Sequence, residues 1–226
     1  MTGTDWSKIG PEDVLAFWFP DDSHWEDEDR HIAFWTWRMQ GQAHEAIEAQ
    51  FSDLTRAAAE GQLDHWADTP RGRLALVIAL DQFPRSIWRD TPGAFAQDLK
   101  ATGLVLQAFK NGHYDALPHV WEKQFYLIAC SHCEGPDLPA RSEDLIIRAS
   151  ALADEAPENI RHMYQGAAQR PKLTKWVAEQ FGRHPHRNEV LGRISTLKEL
   201  EYLAKDCLPH QNMVTDFCEV HGIDLG

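Results

Sequence analysis

Leu74-Ala75-Leu76-Val77-Ile78-Ala79-Leu80, followed directly by Asp81-Gln82-Phe83-Pro84-Arg85, is the stretch that decides the fold. Its first seven residues are apolar all round a helical wheel, the pattern of a helix surrounded by protein on every side. The run is about a third of the roughly 20 residues needed to span a bilayer, so it reads as a core helix. Thr69-Pro70 ahead of it places a capping hydroxyl before a proline at the first helical position, where a missing N–H costs nothing. The spacing predicts a helix over 74–88. Asp81 and Arg85 continue the face of Leu74, Val77 and Trp88, and Pro84 takes the helical partner from the Leu80 carbonyl, predicting a kink.

Working outward, helical period dominates and β-alternation is nearly absent. Pro11 opens a segment carrying Val14, Leu15, Trp18 and Phe19 that stops at Pro20, and 21–29 reads as an acidic loop containing Trp25. Helices are predicted over 32–38 and 43–60, the latter with Ile47, Phe51 and Leu54 on one face and Gly61 as its stop. Thr91-Pro92 repeats the Thr-Pro entry and leads into Phe95, Leu99, Thr102, Leu106 and Phe109, a stripe at helical spacing that ends at Asn111-Gly112. Further helices are expected from Pro118 through Trp121, Phe125 and Ile128, around Leu145, Ile146 and Leu152, over 160–169 and over 173–181. Thr196-Leu197-Lys198-Glu199 is a capping box starting a helix with Leu200 and Leu203, and a short helix is expected after Pro209. Segments of this length with short connections predict an all-α single domain, 1–226, of antiparallel helix pairs.

The chain has 226 residues, net charge −13, 43% hydrophobic and 25% charged residues, the composition of a globular domain able to bury a sizeable core. Its 9 Trp and 10 Phe would fill that core. Such acidity opposes binding to phosphate backbones and anionic membrane surfaces, so neither nucleic acid nor membrane is an expected partner. Four cysteines, Cys130, Cys133, Cys207 and Cys218, are too few for a disulfide framework, and reduced thiols are expected. With no basic-then-apolar leader over 1–10, the expected location is cytoplasmic.

Chemistry-bearing residues gather in three places. At the end of the central helix stand Asp81, Gln82 and Arg85, either the floor of a pocket or a buried ion pair between helices. Phe181-Gly182-Arg183-His184-Pro185-His186-Arg187-Asn188, with Leu191-Gly192-Arg193, packs three arginines and two histidines into a tight turn. Arginine forks suit carboxylate or phosphate and histidines transfer protons, although the arginines could equally pair with nearby carboxylates. Cys130-Ser131-His132-Cys133-Glu134 has two thiols around a histidine, but a structural zinc needs four ligands at recognisable spacing and Cys207 and Cys218 do not supply them. No metal and no cofactor is therefore expected. Phosphate-binding Gly-rich loops, dinucleotide fingerprints, nucleophile elbows and His-Glu-x-x-His helices are absent. Glu26-Asp27-Glu28-Asp29 reads as a solvated charge run.

Four motifs in order resemble the bacterial domain-of-unknown-function family 924: Val14-Leu15-Ala16-Phe17-Trp18-Phe19, Leu80-Asp81-Gln82-Phe83-Pro84-Arg85, His132-x-Glu134, and the Phe181–Arg193 turn. The resemblance covers about 14–203, leaving 204–226 as a C-terminal extension. It implies an all-helical fold similar to tetratricopeptide superhelices and no assigned activity. The chain departs from the family pattern at several positions. The family usually has an aromatic-Asp pair where Ala43-His44 stands, asparagine at Ser86, an aromatic residue at His184 and serine at Cys133. Ala129-Cys130-Ser131 replaces Pro-Phe-Met.

Two functions follow as expectations. In the first, Asp81, Gln82, Arg85, Arg183, Arg187, Asn188 and Arg193 bind a small anionic metabolite, with His132, Glu134 and His186 as acid–base groups. In the second, the helix pairs form a protein-interaction module that takes a peptide or protein, and the polar motifs are structural braces.

Overall fold

The computed structural model describes residues 5–225; residues 1–4, part of the stretch read for a leader, and Gly226 lie outside the described residues. Backbone packing divides the chain into two units, one reaching His132 and including Pro157–Ile160, the other made of Cys133–Ala156 and the residues from Arg161 onward. No β-strand occurs among the described residues, and the fold class is all-α. No helix among them is long and apolar enough to cross a membrane.

The first unit carries α1 (Pro11–Trp18), α2 (Glu28–Met39), α3 (His44–Ala59), α4 (Pro70–Asp81), α5 (Pro84–Ile87), α6 (Asp98–Asn111) and α7 (Val120–His132). As the apolar run requires, α4 is the central helix. It packs against α1, α3, α6 and α7, and every residue from Gly72 to Asp81 is buried. Thr69 caps it, the Gly72 amide donating to Thr69 Oγ1 at 3.1 Å. Thr69→Ala should therefore cost about 1 kcal/mol in urea denaturation, the ordinary worth of a threonine N-cap. Aromatic rings complete the core: Trp18 meets Phe83 at 5.7 Å and Phe125 at 5.5 Å between centroids, and Phe51 stacks on Phe83 at 4.9 Å.

Three expectations are corrected here. The helix expected over 74–88 is two: α4 ends at Asp81 and α5 begins at Pro84. Proline has no N–H for the Leu80 carbonyl, and the Phe83 amide turns to the Ile78 carbonyl instead, so the kink becomes a break. Thr91 does not cap a long helix. Its hydroxyl donates to the Trp88 carbonyl, Pro92–Phe95 forms one 3₁₀ turn, and α6 starts only at Asp98. Its buried face is Asp98, Ala101, Thr102, Val105 and Ala108, while Leu99 is 75% exposed. Of the expected stripe, Thr102 is buried, Leu106 and Phe109 are half-buried, and the helix ends at Asn111 before Gly112 as expected. Of the acidic run, Asp27 caps α2 and Glu28 and Asp29 fill its first turn, exposed and placed where the helix dipole favours negative charge.

The second unit carries α8 (Leu138–Glu155), α9 (Arg161–Ala167), α10 (Arg170–Phe181), α11 (Leu197–Leu203) and α12 (Val214–His221). Helix α8 packs on α9 and α10, and Leu173, Val177, Tyr202, Cys207 and Phe217 form a core. Thr196 and Glu199 make the capping box expected of them, at the start of α11. The last helix begins at Val214, later than Pro209 suggested, with a turn between them.

Candidate functional site

In the first unit, the break after α4 leaves Asp81 as that helix's last residue, and His132 is the last of α7. His132 Nδ1 lies 2.8 Å from Asp81 Oδ1, with the His132 side chain 24% exposed and that of Asp81 1%. Arg85 Nη1 is 3.2 Å from the same oxygen, and Gln82 Nε2 donates to Oδ2. Arg85 also reaches Asp98 through Nη2 at 2.9 Å. Burial opposes a charge on Asp81, but the Arg85 guanidinium, the His132 ring and the hydrogen bonds from His132 and Gln82 outweigh it. Together they hold the carboxyl well below the usual carboxylate range. An ionised Asp81 only accepts hydrogen bonds, so His132 presents an Nδ1–H to it and turns Nε2 away from the carboxylate. No partner for Nε2 is seen among the described residues.

The remaining predicted residues belong to the second unit. Gly182 ends α10 in the left-handed region at φ 68°, which turns the chain into the 3₁₀ turn Pro185–Arg187. Glu134 accepts from the His184 amide at 2.8 Å and from Arg193 Nη1 and Nη2 at 2.5 and 3.1 Å. Burial raises its pKa, yet the Arg193 and His184 hydrogen bonds and the nearby Arg187 charge bring it below its ordinary value. Arg183 clasps Glu199 with Nε at 2.6 Å and Nη2 at 2.8 Å, which, with the Thr196 contacts, draws that carboxyl down to about 2. Asn188 donates to Ser195 Oγ at 3.0 Å, Arg187 is buried, and His186 is half-buried with its ring 4.4 Å from that of His210. Arg183 and Arg193 thus each hold a carboxylate of their own unit.

Two constellations escaped the sequence reading. His24 and His31 are both buried, with Nδ1 atoms 2.9 Å apart. Trp35 donates its indole N–H to His31 Nε2 at 3.1 Å, so His31 donates from Nδ1 and His24 carries its proton on Nε2. That Nε2 is buried and makes no hydrogen bond among the described residues. Burial draws both histidines down to about 4. Beneath them Arg38 lies 3.5 Å from the Phe34 ring centre and donates to the Trp18 and Phe34 carbonyls. The available signal was the i, i+3, i+7 spacing of His31, Phe34 and Arg38, one face of α2.

The second is His44, whose Nδ1 is 2.6 Å from Ser86 Oγ and ties the start of α3 to α5. Gly41 turns in front of it at φ 80°, where an added Cβ would lie 2.7 Å from His44 Nε2, so the turn needs glycine.

The family profile described as "Bacterial protein of unknown function (DUF924)" matches residues 14–206. A solved structure, described as "Structure of Protein of Unknown Function ATU0120 from Agrobacterium tumefaciens", is 28% identical to the chain. That match covers 85% of this chain and 96% of the other, with a TM-score of 0.62. No curated protein matches the chain significantly.

Proposed function

This chain belongs to the bacterial family of unknown function DUF924, and on that footing we propose that its first unit binds and processes a small anionic metabolite, with His132 as the acid–base group. One observation carries the reading: a partly exposed imidazole is anchored through Nδ1 by a buried, ionised carboxylate, which leaves Nε2 to meet a ligand. Gln82 and Arg85 fix the anchor. Glu134 has a bracing role in this reading, and Arg183, Arg187, Asn188 and Arg193 shape the second unit. A cytoplasmic setting suits four cysteines outside any disulfide, three of them buried.

Asp81 and Asp98 share the single guanidinium of Arg85, so in this reading the partner left to meet the ligand is His132.

The test is a thermal-shift screen against phosphate, sulfate, small carboxylates and phosphorylated metabolites. A ligand at about 100 times its Kd should add about 2.7 kcal/mol. For a chain of this size that is a rise of about 5–10 °C. The rise should vanish in His132→Gln. A ligand whose shift survives His132→Gln removes His132 from the site, and a screen with no shift at all removes the small-molecule reading. It would leave the interaction module, which the carboxylate-bound arginines of the second unit favour.

A further inference from the structure

Within the second unit, a cleft of about 610 Å³ opens between the 3₁₀ turn at Pro185 and the outer side of α11. One wall is apolar, made by Pro185, Leu200, Leu203 and Leu208. The apolar surface continues beyond the cleft, because Leu200 is 51% exposed, Leu197 80% and Ile194 92%. Three large aliphatic side chains spaced three apart and left in water cost hydration free energy that a partner would recover. The polar rim is acidic. Glu189 and Asp206 are exposed, and neither has an ion-pair partner among the described residues. The lysines nearest in sequence are occupied elsewhere: Lys198 Nζ binds Gln180 Oε1 at 2.8 Å and Lys205 Nζ the Val220 carbonyl at 3.0 Å. Arg193 also lines the cleft, but its charge is matched by Glu134. Asn188, 1% exposed, lines the cleft too, and its Oδ1 has no hydrogen-bond partner among the described residues.

We propose that this cleft docks a basic, leucine-bearing segment of a partner protein, its aliphatic side chains on Leu197, Leu200 and Leu203 and its cations beside Glu189 and Asp206. Charge chooses this occupant over a second copy of the chain. At net charge −13, two copies meeting across acidic rims repel, whereas a basic segment is drawn in. The proposal is independent of the His132 reading, since none of these residues belongs to the first unit.

Fluorescence anisotropy of the full chain with a labelled peptide repeating Leu-Lys-Lys-Leu tests it, with Leu-Glu-Glu-Leu repeats as control. The lysine peptide should bind and the glutamate peptide should not. Leu197→Ser with Leu200→Ser, both solvent-exposed positions whose unchanged Tm confirms folding, should weaken binding about tenfold or more without altering any charge. Glu189→Gln with Asp206→Asn should weaken it similarly and flatten its salt dependence. No binding of the lysine peptide overturns the proposal, as does unaltered binding to the double serine variant, which would reduce the effect to general charge attraction. A dimer in light scattering that Leu197→Ser dissociates also overturns it, giving the face to a second copy.

Discussion

Asp81→Asn is expected to remove about 3–5 kcal/mol of unfolding free energy, the cost of deleting one partner from a buried ion pair. The asparagine fits the same volume, so the loss is electrostatic. Arg85 keeps only Asp98, and His132 loses the charged acceptor of its Nδ1 proton. Urea unfolding of the two proteins with equal slopes would measure the difference directly. The sign with pH is set by the depressed pKa of Asp81. Its contribution is complete above the ordinary carboxylate range and disappears as pH falls through its lower folded value, so the two proteins converge in strong acid. A loss under about 1 kcal/mol at neutral pH would mean that the carboxylate carries little of the structure. The claim that Asp81 anchors His132 would go with it.

Acid between pH 6.5 and 4 should destabilise the first unit through His24 and His31. Both stay neutral in the fold, drawn down to about 4 by burial, whereas in the unfolded chain they titrate near 6.5. Over that window the unfolded state binds more protons, so stability rises with pH, is complete above 6.5 and is lost on approach to 4. At about 1.4 kcal/mol per pH unit, each histidine acting alone contributes about 3 kcal/mol. The groups around them divide: Asp22 favours a proton on His24, while Arg38, Arg30 and His119 oppose it. Glu199, drawn down to about 2, loses its contribution only from its unfolded value of 4.5 downward, so most of the drop between neutral pH and 4.5 belongs to the histidines. In His24→Phe, which keeps a ring against Phe34, the drop in stability between neutral pH and 4.5 should shrink by about half. An unchanged acid profile in that variant would place the acid-sensitive groups elsewhere.

The central helix, its Thr69 cap, the Thr196–Glu199 box and the all-α class were legible because each rests on local chemistry: a continuous apolar run, a hydroxyl at the right offset, Gly or Pro at an end. Asp81 and His132 were legible as unusual, yet their 2.8 Å contact links positions 51 apart, and nothing local encodes that pairing. The buried face of α6 was only partly legible for a related reason. Counting large apolar residues favoured Leu99, but the helix approaches its neighbours through Ala101, Val105 and Ala108. His24 and Trp25 sat in a stretch judged by its acidity, so their place in a buried aromatic cluster was hidden by the charges around them. Arg183 and Arg193 pair with Glu199 and Glu134, the alternative that the sequence left open for them.

The hydrogen bond between His44 and Ser86 joins side chains 42 positions apart and fastens the start of α3 to α5. A change at either position is therefore felt at the other. His44→Ala should leave little for Ser86→Ala to remove in the double variant, a non-additivity that a double-mutant cycle in urea reads directly.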